Sequence, residues 1–208
     1  MYTLLKPLKI REEFLRRKIR IFNASDFVRI FSISGHSAKY FLERQVKEGF
    51  LIRLKRGLYA LKTDQPAEEE VANALYRPSY LSFEYALAYY SLIPEMPYTI
   101  TSATTKPTRL FTTKNLAFSY RTIKKEAFTG YSLNNQEKKA YLIAEKEKAL
   151  VDYIYFVSLR KSRHIGRLLA NLKSSRYYRV KGLNKDKIRD FAKLFNRGQL
   201  TEMVKKLL

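Results

Sequence analysis

Residues 49–62, GFLIRLKRGLYALK, place two strand-like apolar runs, Phe50 to Leu54 and Leu58 to Lys62, on either side of Lys55-Arg56-Gly57. A connection this short joins the runs only as an antiparallel hairpin, because a parallel crossover needs a dozen or more residues, and Gly57 supplies the positive φ that a tight turn asks for. A hairpin with this much to bury must lay its apolar side chains on something else, which here is the segment preceding it.

That segment carries helical periodicity. In residues 9–22, KIREEFLRRKIRIF, the apolar Ile10, Phe14 and Ile21 recur at helix-compatible spacing, which predicts a first helix. Asn23, Ala24 and Ser25 interrupt it, and Ser25 is placed to cap a short second helix whose Phe27, Ile30 and Phe31 face inward. After Ser32-Ile33-Ser34-Gly35, Ser34 caps a third helix ending at Gly49. At about 100° per residue, Ala38, Phe41, Leu42, Gln45 and Val46 fall on one half of this helix, and His36, Ser37, Tyr40, Glu43, Arg44 and Lys47 on the other. Three helices followed by a hairpin is the winged-helix order. In that arrangement the polar face of the third helix, with Lys39 and the cap Ser34 beside it, meets a major groove, and Arg53, Lys55 and Arg56 on the hairpin meet phosphates. Glu43 counts against this reading, since a carboxylate repels phosphate.

The charge distribution agrees with a polyanion partner. The 208 residues hold 41 Lys and Arg against 19 Asp and Glu, a formal net charge of +22. Residues 1–62 carry 15 basic and 5 acidic side chains, residues 63–150 carry 11 and 10, and residues 151–208 carry 15 and 4. A nearly neutral middle therefore separates two cationic ends. Cysteine is absent, which excludes disulfides, thiolate metal sites and a cysteine nucleophile and fits a reducing compartment. No apolar stretch has the length of a signal peptide or a membrane span, so a soluble cytoplasmic protein with no membrane contact is expected.

Beyond the hairpin the pattern changes. Residues 67–76, AEEEVANALY, form a short helix with acids in its first turn. Ser82 is placed to cap a helix reaching about Ser91, which Pro94 and Pro97 prevent from continuing. Short strands are expected at 98–104, 109–113, 116–123, 126–132 and 139–143, and helix from Glu145 onward. The expected fold class is α+β. A winged helix at 1–62 precedes an effector domain at 63–208, made of a connector at 63–78, a mixed α/β part at 79–144 and a basic helical part at 145–208.

Catalytic signatures are missing. The seven glycines never cluster into a phosphate or dinucleotide loop, and His36 and His164 lie far apart without metal-ligand spacing. Glu137 and Lys139 make an E-x-K triplet with no Pro-Asp strand before it. Glu145 and Glu147, alternating with lysines, read as a solvated face, and Asp152 as a partly buried structural carboxylate. No catalytic residue, metal or cofactor is assigned.

Residues 25–61, SDFVRIFSISGHSAKYFLERQVKEGFLIRLKRGLYAL, resemble the N-terminal winged helix of the AbiEi antitoxins, above all in Leu54-Lys55-Arg56-Gly57-Leu58-Tyr59. SYLSFEYALAYYSLI at 79–93, TITSATTKPTRLF at 99–111 and EKALVDYIYF at 147–156 are similar to parts of that family's effector domain. The resemblance implies a non-enzymatic antitoxin that binds the double-stranded operator DNA of its own operon and counteracts a nucleotidyltransferase toxin in an abortive-infection system. The DNA-facing residues on the winged-helix reading are Ser34, His36, Ser37, Lys39, Tyr40, Arg44, Arg53, Lys55 and Arg56. A second basic surface, for DNA or RNA, is placed at Arg160, Lys161, Arg163 and Arg167. Two other readings compete: a winged-helix repressor whose middle domain senses a small ligand, and a metal-dependent nuclease that holds DNA by its basic ends.

Overall fold

The computed structural model describes residues 5–113, 116–136, 139–159 and 182–208. The chain divides into two compact units, Met1–Leu75 and Tyr76–Leu208. The helix read from sequence as part of a connector falls inside the first unit.

The first unit runs α1 (Pro7–Arg16), β1 (Ile21–Asn23), α2 (Ala24–Phe31), α3 (Gly35–Lys47), β2 (Leu51–Lys55), β3 (Leu58–Leu61) and α4 (Glu68–Leu75). The first helix is shorter than periodicity suggested. Lys18 adopts φ 55°, which stops α1, and Ile21–Asn23 pairs antiparallel with Leu58–Ala60 of β3, so Phe22 is buried from a strand and not from a helix. The order of the three-stranded sheet is β1-β3-β2.

Asn23, not Ser25, caps α2. Its side chain accepts from the Asp26 backbone N–H at 2.8 Å, and Asp26 Oδ2 accepts from the Asn23 N–H at 3.2 Å. This reciprocal pair satisfies two of the donors that a helix start leaves open. Ser32, at φ 50°, ends α2, and three residues later α3 begins behind its cap Ser34. The unit closes over Ile10, Phe14, Phe22, Phe27, Ala38, Leu42, Leu51, Tyr59 and Leu61. Phe22 sits at its centre, with ring centroids 4.5 Å from Phe14 and 5.9 Å from both Phe27 and Tyr59. Helices α1, α2 and α3 and the sheet each contribute one of these rings or an aliphatic neighbour, so the core fixes how α3 and the hairpin are held together.

The second unit holds β4 (Ser79–Leu81), α5 (Phe83–Tyr89), β5 (Thr99–Thr104), β6 (Arg109–Thr112), β7 (Ala117–Thr122), β8 (Tyr131–Gln136), β9 (Lys139–Ala144), α6 (Lys146–Ser158), α7 (Lys185–Lys193) and α8 (Gly198–Leu207). Its six strands lie in the order β6-β7-β5-β4-β9-β8 and mix both directions. The pairs β5–β7 and β4–β9 are parallel, and the others antiparallel. The strand expected at 126–132 starts only at Tyr131, because a 3₁₀ turn at Lys125–Ala127 and Gly130 at φ 73° precede it. Gly130 has no room for a side chain, since a Cβ there would lie 2.6 Å from the Phe191 ring. The Arg121 guanidinium lies 3.9 Å from the Phe156 ring centroid of α6 while donating to Glu84 of α5 at 2.6 Å, tying β7 to both helices. The chain is thus a mixed α+β protein. Among the described residues no helix is long and apolar enough to cross a membrane.

Candidate nucleic-acid interface

Helix α3 separates its residues much as the wheel of its sequence predicts. Ala38, Leu42 and Gln45 are buried and Phe41 and Val46 half-buried, while His36, Lys39, Tyr40, Glu43, Arg44 and Lys47 are exposed and Ser37 is half-exposed. Tyr40 is an unusual surface residue, an aromatic side chain 68 % exposed in the middle of a helix. Ser34 Oγ accepts from the Ser37 N–H at 3.1 Å and lies 2.9 Å from the Ser37 hydroxyl, so the two serines organise the first turn together. His36, Lys39, Tyr40, Glu43 and Lys47 follow i, i+3, i+4, i+7 and i+11, a single stripe along the helix.

Arg44 has a partner that the sequence did not suggest. Its Nε donates to Glu48 at 2.7 Å, not to Glu43, and the guanidinium, together with the Gln45 amide at 2.6 Å, holds the Glu48 carboxyl below the usual carboxylate range. Both Arg44 and Glu48 are exposed, so this pair is screened and exchanges readily for another anion.

The hairpin also differs from its reading in one respect. Lys55 opposes Leu58, so the turn is Arg56-Gly57 with Gly57 at φ 77°, and Lys55 is the last residue of β2. The register shifts between Arg53 and Lys55. Such a bulge re-aims the side chains that follow it. Lys55 is consequently half-buried and donates to the Leu75 carbonyl oxygen at 2.6 Å, whereas Arg53 and Arg56 are exposed. A lysine read as a phosphate contact therefore anchors the hairpin to the end of α4. Arg20 does similar work, pairing with Glu70 at 3.1 Å and Asp64 at 3.5 Å. Arg160, Lys161, Arg163 and Arg167 lie outside the described residues, as do His164 and Glu137.

Some acids and bases of the second unit form buried structural contacts. Glu147 and Lys148, read as solvated, are buried. Glu147 accepts from the Asn184 backbone N–H at 3.0 Å, and Lys148 pairs with Asp152. Asp152 also accepts from the Tyr80 hydroxyl at 2.9 Å and from the Ser82 hydroxyl at 2.7 Å, which explains why Ser82 does not cap α5 with its side chain. Burial pushes the Lys148 ammonium down and the Tyr80 phenol well up. Lys148, Asp152, Tyr80 and Ser82 have no measurable exposure, so no substrate reaches them. Among the described residues no three His, Asp or Glu side chains gather as metal ligands.

The exposed face of α3 and the exposed hairpin arginines lie wholly within one segment that matches a known family model. Residues 9–62 match the family model described as transcriptional regulator, AbiEi antitoxin. This segment is similar to the AbiEi antitoxins. The AbiEi match takes in β1 to β3, α2, α3 and most of α1, and so contains every described residue assigned above to DNA. The match covers the first unit only, and its description, a transcriptional regulator of antitoxin type, is a statement about that similarity. A search among curated proteins found no match.

Proposed function

We propose that the first unit works as a winged helix that binds operator DNA of its own operon and represses transcription, and that the second unit counteracts a nucleotidyltransferase toxin. The observation that carries the DNA reading is the pairing, on one small core, of an exposed hydrogen-bonding stripe on α3 with two exposed arginines on the hairpin. His36, Ser37, Lys39 and Tyr40 stand at base edges in the major groove, and Arg44 leaves Glu48 for the DNA. Arg53 and Arg56 neutralise phosphates, as does the backbone N–H cluster behind Ser34 at the start of α3. Lys55 supports the hairpin and does not touch DNA. Glu43 accepts from a cytosine amino group, a base-edge donor that suits a carboxylate.

The test is binding of the full chain to the DNA upstream of its own reading frame, measured against a scrambled duplex over a range of salt. Specific binding to the upstream fragment, with a slope that drops by about one unit for each arginine removed from the hairpin, supports the proposal. Equal affinity for both duplexes overturns the repressor reading. The antitoxin half is tested by coexpression with a nucleotidyltransferase toxin of the proposed kind, where growth arrest despite equal protein levels overturns that half alone.

A further inference from the structure

The outward face of α1 carries Leu8, Arg11, Glu12 and Leu15, spaced i, i+3, i+4 and i+7, while Ile10 and Phe14 on the opposite side are buried in the core. Leu8 is 70 % exposed and Leu15 42 %. Their exposure is unexpected in a unit as cationic as this one. Glu13, one residue on, is held by Arg16 and Arg17, whereas among the described residues neither Arg11 nor Glu12 has an ion-pair partner.

We propose that this face is a docking surface for a second copy of the same chain, packed antiparallel, with Leu8 against Leu15 of the other copy and Arg11 against its Glu12. The occupant follows from the order of the residues. A two-fold axis passing between positions 11 and 12 brings together positions whose numbers sum to 23, so leucine meets leucine at both ends and opposite charges meet twice in the middle. Parallel pairing in register would set Arg11 against Arg11 and Glu12 against Glu12, which is repulsive at both positions. A polyanion is a poor occupant, because it would face Glu12 and two leucines. A helix of ten residues is about 15 Å long, and two such helices bury less than the roughly 1,200 Å² of a stable interface. The dimer is therefore weak, populated at high concentration or when two copies are held on one ligand. Nothing in this proposal depends on the DNA reading.

The decisive experiment is charge exchange in the full chain, read by sedimentation equilibrium at high protein concentration. Arg11→Glu leaves two acids at the centre of each copy and Glu12→Arg leaves two bases, so each variant alone should dimerise about tenfold less tightly than the parent. An equimolar mixture of the two should recover the association, because every central pair is then of opposite sign, and the double variant R11E/E12R should recover it by itself. Since the chain has no cysteine, Leu8→Cys and Leu15→Cys provide an independent reading of direction. A short bismaleimide should join the mixed variants faster than it joins either one to itself. Thermal melting confirms that each variant is folded. A parent that stays monomeric, single variants that associate like the parent, or a mixture that fails to recover would each overturn the proposal.

Discussion

Lys148 and Asp152 stand one turn apart on α6 as an ion pair from which solvent is wholly excluded, and the second carboxylate oxygen takes hydroxyl donors from Tyr80 and Ser82 on the far side of the sequence. The arrangement couples α6 to β4 through charge as well as packing. Removing the carboxylate should strand a buried ammonium, so Asp152→Ala is expected to cost about 3–5 kcal/mol in urea unfolding. Lys148→Met should cost less, because Asp152 keeps both hydroxyl donors, and Tyr80→Phe about 1–3 kcal/mol. Equal and small effects for all three variants would mean that the network contributes little.

Alkaline stability should fall early. Burial raises the phenols of Tyr80 and Tyr120 above their ordinary value of 10.0 and pushes Tyr90 up to about 12. A group whose folded pKa is raised contributes fully below its unfolded pKa, and that contribution is lost as pH climbs from 10 toward 12. Lys148, lowered by burial, acts in the opposite sense below 10.5. The tyrosine effect is therefore isolated by comparing the parent with Tyr120→Phe between about pH 9 and pH 11, where the parent should lose more unfolding free energy than the variant.

The two halves of the proposed DNA surface should fail in different ways. Arg53→Ala and Arg56→Ala are expected to weaken binding to all duplexes and to reduce the salt slope by about 0.9 each. His36→Ala and Tyr40→Ala should chiefly relax sequence preference. Lys55→Ala should lower the melting temperature, through its bond to the Leu75 carbonyl, with a salt slope close to that of the parent. Fluorescence anisotropy at several salt concentrations, paired with thermal melts, separates these behaviours.

Asn23 ends β1 and caps α2, so one side chain governs the direction in which the chain leaves the sheet. Asn23→Ala should destabilise the protein by about 0.5–2 kcal/mol, whereas Asn23→Asp, which still accepts from the Asp26 N–H, should recover most of that loss. Ser25→Ala, at the position first read as the cap, should be nearly silent by the same measurement.

What the sequence determined by itself lies in local pattern. The cap Ser34, the sidedness of α3, the end of that helix before Gly49 and the antiparallel hairpin all depend on residues within a turn or two of each other, where spacing and φ preference decide. The exposed polar stripe of α3 was legible for the same reason. Tertiary structure decided the rest. Ile21 has helical spacing from Ile10 and Phe14, but Ile21–Asn23 became a strand because β3, almost forty residues later, offered it a ladder. Lys55 and Glu147 read as surface charges, and their polar ends found the Leu75 carbonyl and the Asn184 N–H across long stretches of chain. Lys148 and Asp152 are neighbours on one helix, yet nothing in EKALVD shows that Tyr80 and Ser82 will arrive to make their burial tolerable. Periodicity records which face a residue takes on its own element. Whether a charge on that face meets water or a buried partner is set by which other element packs there, and that choice is made only when the whole chain closes.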